Sequence, residues 1–486
     1  MLETERERPL SFQQRVVRSF LWMGGGQVLG QAVTWLSTLV VIRLLTPMDY
    51  GLMTMAMIFL GFLFVIADLG IGAAAIQTRE LAEEELPTMA AAILLTCGAG
   101  FFLTQLAAPW LAVFFREPRV TPIVRVLALN FPLMAIYHLP QARLVRELEF
   151  DVKARVDLLV AFASAGTSLV MALAGAGVWA LVGGVLAQNA ARALFFQLAR
   201  PTSLAPDFRR FFTNPLVQFG VVITLDRILY FMYSYADVTI GGRVLGKELI
   251  GLYTVAVTVT SIPVQKVMPI VNQISFAAFS RIQTEGDRVR RNVLRAVQFA
   301  GLLGFPAFLG MAAVAPEFVP LLLGAQWGEA VLPLQLLCLV VPLKMFSTLL
   351  PPALFGIGRP VVNLVNVLID FLVMTGALLI GVNYGLLGLC LAWVIGFPIA
   401  FGITTTRTLR TLQLRWREFF GQIATPALAS ITMAVAVGAL RLVLVDLLPT
   451  VPRLVALIAT GVAVYAGLIL LTARSAVMEL QKVLQR

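Results

Sequence analysis

The feature that most constrains this chain is a succession of long apolar runs separated by short segments carrying charge, Pro or Gly. Fourteen can be delimited: 19–42, 51–77, 89–114, 121–139, 157–174, 178–199, 214–236, 249–275, 293–315, 331–355, 361–381, 384–404, 421–445 and 452–473. A helix crossing the hydrocarbon core of a bilayer needs about 20 apolar residues. Lipid offers the backbone no hydrogen-bond partners, so only helices and closed barrels span it. Barrel strands would show as short segments of alternating polarity, a pattern absent here. The expected fold class is therefore an all-α polytopic membrane protein with about 14 transmembrane helices. Composition agrees: 59% of residues are hydrophobic and 13% charged, where a soluble domain carries about a quarter charged.

Charge position then sets orientation. The net charge of +11 would suggest nucleic acid in a soluble protein; between membrane spans, the placement of the cations decides more than their sum. With the N-terminus inside, 25 of the 37 Lys and Arg fall in cytoplasmic segments and 7 in external ones. That bias over short loops is the positive-inside signature and implies both termini in the cytoplasm. A cytoplasmic segment 1–18 and a tail 474–486 flank the spans, and the first run is too long for a cleaved signal peptide. The fourth run is the weakest, interrupted by Arg125, Asn130, Pro132 and His138. The acidic cluster Glu80, Glu83, Glu84 and Glu85 reads as a solvated loop. No connection is long enough to house a catalytic domain, so no enzyme activity is expected.

Weak self-similarity divides the chain. RLLTPMDYGLMTMA, from Arg43, is echoed 200 residues later by RVLGKELIGLYTVA, from Arg243. Leu139-Pro140-Gln141-Ala142 is echoed by Leu350-Pro351-Pro352-Ala353, and Gly177-Val178-Trp179-Ala180-Leu181 by Gly385-Leu386-Leu387-Gly388-Leu389. The order is kept and the offsets are similar. Two pseudo-symmetric six-helix bundles, 19–200 and 208–410, are expected, related by an axis along the membrane normal, with two additional C-terminal helices at 421–473.

Several of these residues carry a family resemblance. Leu45-Thr46-Pro47-x-x-Tyr50-Gly51-Leu52, Leu144-Val145-Arg146-Glu147-Leu148-Glu149-Phe150 and Gly177-Val178-Trp179-Ala180-Leu181 are similar to segments of the polysaccharide transporter branch of the multidrug/oligosaccharidyl-lipid/polysaccharide exporter superfamily. The resemblance covers nearly the whole chain. It implies a flippase moving polyprenyl-pyrophosphate-linked oligosaccharide across the bacterial inner membrane by alternating access, for lipopolysaccharide, capsule or exopolysaccharide synthesis. The partners implied are the lipid-linked oligosaccharide, membrane lipids, and polysaccharide polymerase and export machinery, with no nucleic acid and no cofactor. Sibling lipid II flippases carry charges in the first span, and drug antiporters an acid there; span one here holds neither. A drug or metabolite antiporter stays open as an alternative because of Asp226. A membrane sugar polymerase fits less well, for want of a large external loop.

Ionisable groups inside a membrane face a cavity or a partner. Arg227, Lys266 and Lys344 place positive charge in the second half and are the candidates to contact a pyrophosphate, with Arg227 nearest the midplane. Asp226, Asp68 and Asp370 are candidate coupling or counter-ion groups. Arg192, near the inner end of span six, is expected to snorkel to the interface. Trp110, Trp179, Trp327 and Trp393 read as interface anchors. Cys97, Cys338 and Cys390 sit in apolar runs without ligand spacing, so neither disulfide nor metal is expected.

Overall fold

A computed structural model describes residues 30, 33–68, 86–147, 149–202, 205–207, 215–279 and 286–472. The side chains of Asp68, Asp226 and Lys266, the acidic cluster at 80–85 and both terminal segments lie outside what it describes. The described residues are helical, with short turns between helices and no strand. In order they form α1 (Val33–Leu44), α2 (Pro47–Asp68), α3 (Leu86–Phe115), α4 (Val120–Leu127), α5 (Asn130–Arg146), α6 (Phe150–Leu173) and α7 (Val178–Ala199). There follow α8 (Pro215–Phe279), α9 (Gly286–Leu322), α10 (Val331–Gly356), α11 (Pro360–Gly381), α12 (Gly385–Leu391), α13 (Phe397–Thr411), α14 (Trp416–Leu444) and α15 (Thr450–Thr472). Eleven helical stretches among the described residues are long and apolar enough to cross a membrane. One of these, Val361–Thr411, contains both α11 and α13. The protein is an all-α, multi-pass membrane protein.

Breaks in the helices follow local chemistry. α8 is 65 residues long, far beyond a bilayer's thickness, and is divided where Gly246 adopts φ 80° and ψ −179°, a conformation open to glycine alone at little cost. The weak fourth run resolves into α4 and α5, parted at Ala128–Leu129. There the side chain of the buried Asn130 donates to the Leu127 carbonyl (2.7 Å) and accepts from Asn189 Nδ2 of α7 (2.7 Å), so one carbonyl at the break gains a partner and the Asn itself is held from α7.

The chain separates into two compact units, Met1–Phe231 and Met232–Arg486. In the first, α6 and α7 make the most extensive helix pair. Close approach there depends on Gly184: a Cβ at that position would lie 1.8 Å from Ser168 Oγ, the small-residue contact typical of membrane helices. In the second unit, α9 packs along α14, α10 and α15, burying Phe299, Leu302, Val314, Met433, Val437 and Leu457. Cys97, Cys338 and Cys390 are buried free thiols.

Candidate functional sites

Among the described residues, each unit holds a polar constellation of chemical interest. In the first, a cavity of about 610 Å3 is walled by α1, α5, α6 and α7 and receives Gln141, Lys153, Asp157, Ser164, Gln188 and Arg192. Lys153 and Asp157 sit one turn apart on α6, where the helix emerges from its charged first turns, and the ammonium lies 2.5 Å from Asp157 Oδ2. Ser164 Oγ donates to the Gly184 carbonyl at 3.0 Å. Arg192, on the cytoplasmic half of α7 in the charge assignment, is half-buried and lines this cavity, with its guanidinium 5.8 Å from the ring centroid of Tyr137. Its position along the span was legible in sequence; its direction follows from the face that α7 turns to α5 and α6.

In the second unit a polar cluster is buried among helices. Asp237, on the first part of α8, is 6% exposed. Its Oδ2 accepts from the Tyr253 hydroxyl at 2.5 Å and from Trp393 Nε1 at 3.2 Å, and the same indole N–H lies 2.8 Å from Tyr253 Oη. Trp393 is carried on a π-helical turn, Ala392–Gly396, joining α12 to α13. Such widened turns recur at functional sites because they redirect side chains without ending a helix. Lys344 of α10 places its ammonium 3.2 Å from the centre of the Trp393 ring and 6.0 Å from that of Phe397. An indole face is the strongest aromatic partner for a cation, and Asp237 attracts the same ammonium electrostatically. Trp393 and Trp327 are therefore buried core residues, not interface anchors, whereas Trp110 is 78% exposed.

The remaining candidates are placed separately. Arg227 is an exposed side chain on α8 in the first unit. Asp370 lies on α11 with Oδ1 buried and without a hydrogen-bond partner among the described residues. One turn earlier, Asn366 accepts from Arg407 Nε (3.1 Å) and donates to Thr408 Oγ1 (2.9 Å). Asp237 went unnoticed in sequence because it falls one residue beyond the predicted limit of the seventh run; its offset of seven from Tyr230 and four from Tyr233 was the available signal. Among the described residues no group of His, Cys, Asp or Glu is arranged to hold a metal ion.

Residues 40–332 match the family described as polysaccharide biosynthesis protein. The lipopolysaccharide biosynthesis protein WzxC of Escherichia coli (strain K12) is 25% identical over 402 residues, covering 79% of each chain. The succinoglycan biosynthesis transport protein ExoT of Rhizobium meliloti (strain 1021) is 26% identical over 456 residues, 89% of this chain and 88% of that one. Among solved structures, the lipid II flippase MurJ in an inward closed conformation superposes with a TM-score of 0.70 at 13% identity, covering 95% of this chain and all of that one. An inward-facing multidrug resistance transporter of the MATE family superposes with a TM-score of 0.62 at 16% identity, over 79% of this chain and 94% of that one.

Proposed function

The chain belongs to the polysaccharide biosynthesis protein family, in the polysaccharide transporter branch of the exporter superfamily, and from that premise we propose that it flips a polyprenyl-pyrophosphate-linked oligosaccharide across the bacterial inner membrane. The family's relatives and the fold are those of membrane transporters, not enzymes. The observation that carries the finer reading is the family match over residues 40–332, joined by relatives named for lipopolysaccharide biosynthesis and succinoglycan transport. The chemistry of the proposed substrate asks for cations in a low-dielectric surround, where charge-assisted hydrogen bonds are strong. Arg227, Lys266 and Lys344 are assigned that role, with Asp226, Asp68 and Asp370 as coupling or counter-ion groups. Fourteen crossings, with both termini cytoplasmic, and two repeated six-helix bundles complete the proposal.

The test is polymer export in a strain lacking its own copy of the gene, complemented with wild-type or variant protein. Wild type is expected to restore export and to relieve accumulation of lipid-linked oligosaccharide in the inner leaflet. Arg227→Lys keeps the charge but loses the planar fork and is expected to export less; Arg227→Ala still less, at normal membrane abundance. Failure of the wild-type protein to restore export, with resistance to cationic drugs conferred instead, would turn the assignment to the antiporter alternative.

A further inference from the structure

Helix α9 runs for 37 residues through Pro306, Pro316 and Pro320. A proline has no N–H to give the carbonyl four residues earlier, and its ring crowds that turn and bends the helix. Pro306 and Pro316 therefore release the carbonyls of Leu302 and Ala312, both within the apolar stretch Val289–Leu322, where an unpaired carbonyl is costly. Each finds a donor on another helix. Tyr465 Oη of α15 donates to the Leu302 carbonyl at 2.7 Å, and Gln335 Nε2 of α10 donates to the Ala312 carbonyl at 2.9 Å. The Tyr465 side chain also bridges the weak point. It packs against the buried cluster that holds Phe299 and Leu302, before Pro306, and against the one that holds Val314, beyond it. Ion pairs fasten the same helix further out: Arg290 lies 3.7 Å from Glu418 of α14, and Glu317 meets Arg441 of α14 and Arg453 of α15. The turn before Pro306 in turn presses on α10. A Cβ at Gly304 would stand 3.0 Å from Met345 Sδ, and the Phe305 and Phe346 rings are 5.8 Å apart. Met345 and Phe346 directly follow Lys344.

We propose that the C-terminal pair α14–α15, which lies outside the expected repeat, is a splint that sets the course of α9, with Tyr465 of α15 and Gln335 of α10 as the positioning residues at its two proline-weakened turns. The consequence for transport rests on the transport reading above; the shaping of α9 does not. A turn short of one hydrogen bond is softer than its neighbours, and Gly304 and Gly310, on either side of Pro306, soften it further. A hydroxyl anchored on α15 supplies the missing bond from outside the helix, so the direction of α9 beyond Pro306 depends on where α15 stands. Tyr465 acts through α9. A change in the course of that helix displaces Gly304 and Phe305, and with them the turn of α10 that holds Lys344 over the Trp393 ring.

The experiment is a double-mutant cycle on the full-length protein in nanodiscs. Tyr465→Phe keeps the ring and removes the hydroxyl. Pro306→Ala returns an N–H to the Leu302 carbonyl and makes that hydroxyl dispensable. Tyr465→Phe is expected to lower the thermal unfolding temperature by several degrees in the wild-type background and to leave it unchanged in Pro306→Ala. The course of α9 is read as the distance distribution between spin labels on Arg291→Cys and Leu322→Cys, both exposed positions, the native thiols being buried. Tyr465→Phe is expected to broaden it. Pro306→Ala is expected to narrow it and shift it to longer distance, with or without Tyr465. An equal loss of stability in both backgrounds, or a distribution that no variant alters, overturns the splint. Gln335→Leu against Pro316→Ala repeats the cycle at the second turn and carries the test should a Pro306 variant fail to accumulate. In the complemented strain, Pro306→Ala at normal abundance is expected to export several-fold less, a loss that a purely stabilising role for this contact would not produce. Full export despite a lengthened α9 overturns the positioning role. Absence of export by the wild type removes the transport reading instead, and the stability and distance measurements still judge the splint.

Discussion

Glu317 is 1% exposed near the end of α9, and two cations converge on it. Arg441 Nε of α14 donates to its Oε1 at 2.8 Å, and Arg453 Nε of α15 lies 3.3 Å from the same oxygen while its Nη1 donates to the Val445 carbonyl at 2.9 Å. The carboxylate thus ties the α14–α15 turn to α9. Removing one partner of a buried ion pair leaves an uncompensated charge and costs about 3–5 kcal/mol. Glu317→Gln is therefore expected to lower the thermal unfolding temperature in detergent sharply. Arg441→Ala is expected to lower it less, because that side chain is a third exposed and Arg453 remains. Equal, negligible shifts would show that the α14–α15 packing alone holds the turn. The second buried constellation is testable by a cycle. Asp237→Asn and Lys344→Gln each strand a charge, whereas the double variant removes both, so it is expected to be more stable than the sum of the singles predicts. Strict additivity, measured by the same thermal unfolding, would show that Lys344 is held by Trp393 alone. Lys344 was legible as a charge within a span. Its aromatic bed was not, because the π-turn that aims Trp393 has no signature in the apolar pattern.

At the scale of elements, two segments that read only as family-like strings prove to be one contact. Thr46 Oγ1 and Asp49 Oδ2 are 2.6 Å apart, and Asp49 also accepts from the Thr46 amide at 3.0 Å, so Leu45-Thr46-Pro47-x-Asp49 closes the start of α2 on itself. Gly177, which opens α7, lies against it: its φ is +56°, and a Cβ there would stand 3.0 Å from Asp49 Oδ1. The echo at Gly385 opens α12 with φ +74° and open space around it. Positive φ with ψ this far from the left-handed helical well is a region that glycine alone enters freely, and it costs an L-residue roughly 1–3 kcal/mol. Gly385→Ala is expected to cost about that much. Gly177→Ala adds crowding against Asp49 and is expected to cost more; membrane abundance and thermal unfolding give the comparison. A smaller effect at Gly177 would mean that α2 and the α6–α7 turn yield to the methyl. The shared left-handed glycine also supports the proposed repeat, since offset and conformation agree. What the sequence could not show is where an element bends: the composition of the fourth run flagged weakness, but the side chain that meets the break at Ala128–Leu129, Asn130, is itself bonded by Asn189, 59 residues further on.

At the scale of the whole molecule, the alternation of loops between two sides can be checked against contacts inside each unit. Segments assigned to the cytoplasm by their Lys and Arg should meet one another, and external segments likewise, but never across the two sets. In the first unit, Arg200 pairs with Glu147, and the Asp207 amide donates to the Pro87 carbonyl at 3.0 Å, both contacts joining cytoplasmic segments. Arg119 Nη2 lies 3.3 Å from Met48 Sδ, and Gly177 abuts Asp49, both joining external ones. In the second unit, Arg290 lies 3.7 Å from Glu418 in segments assigned to the cytoplasm, and Glu317 meets Arg441 and Arg453 in segments assigned to the outside. A miscount of one crossing between these pairs would put one member on the wrong side. Each pair joins two segments that the expected alternation of crossings puts on one side of the membrane, and reporter fusions decide which side that is. Reporter fusions after Arg200, Arg359 and Arg486 are accordingly expected to report the cytoplasm, and one after Arg119 the periplasm. A periplasmic signal at Arg200 would break the even count in the first half. The same signal at Arg486 with the others in place would confine the error to α14–α15.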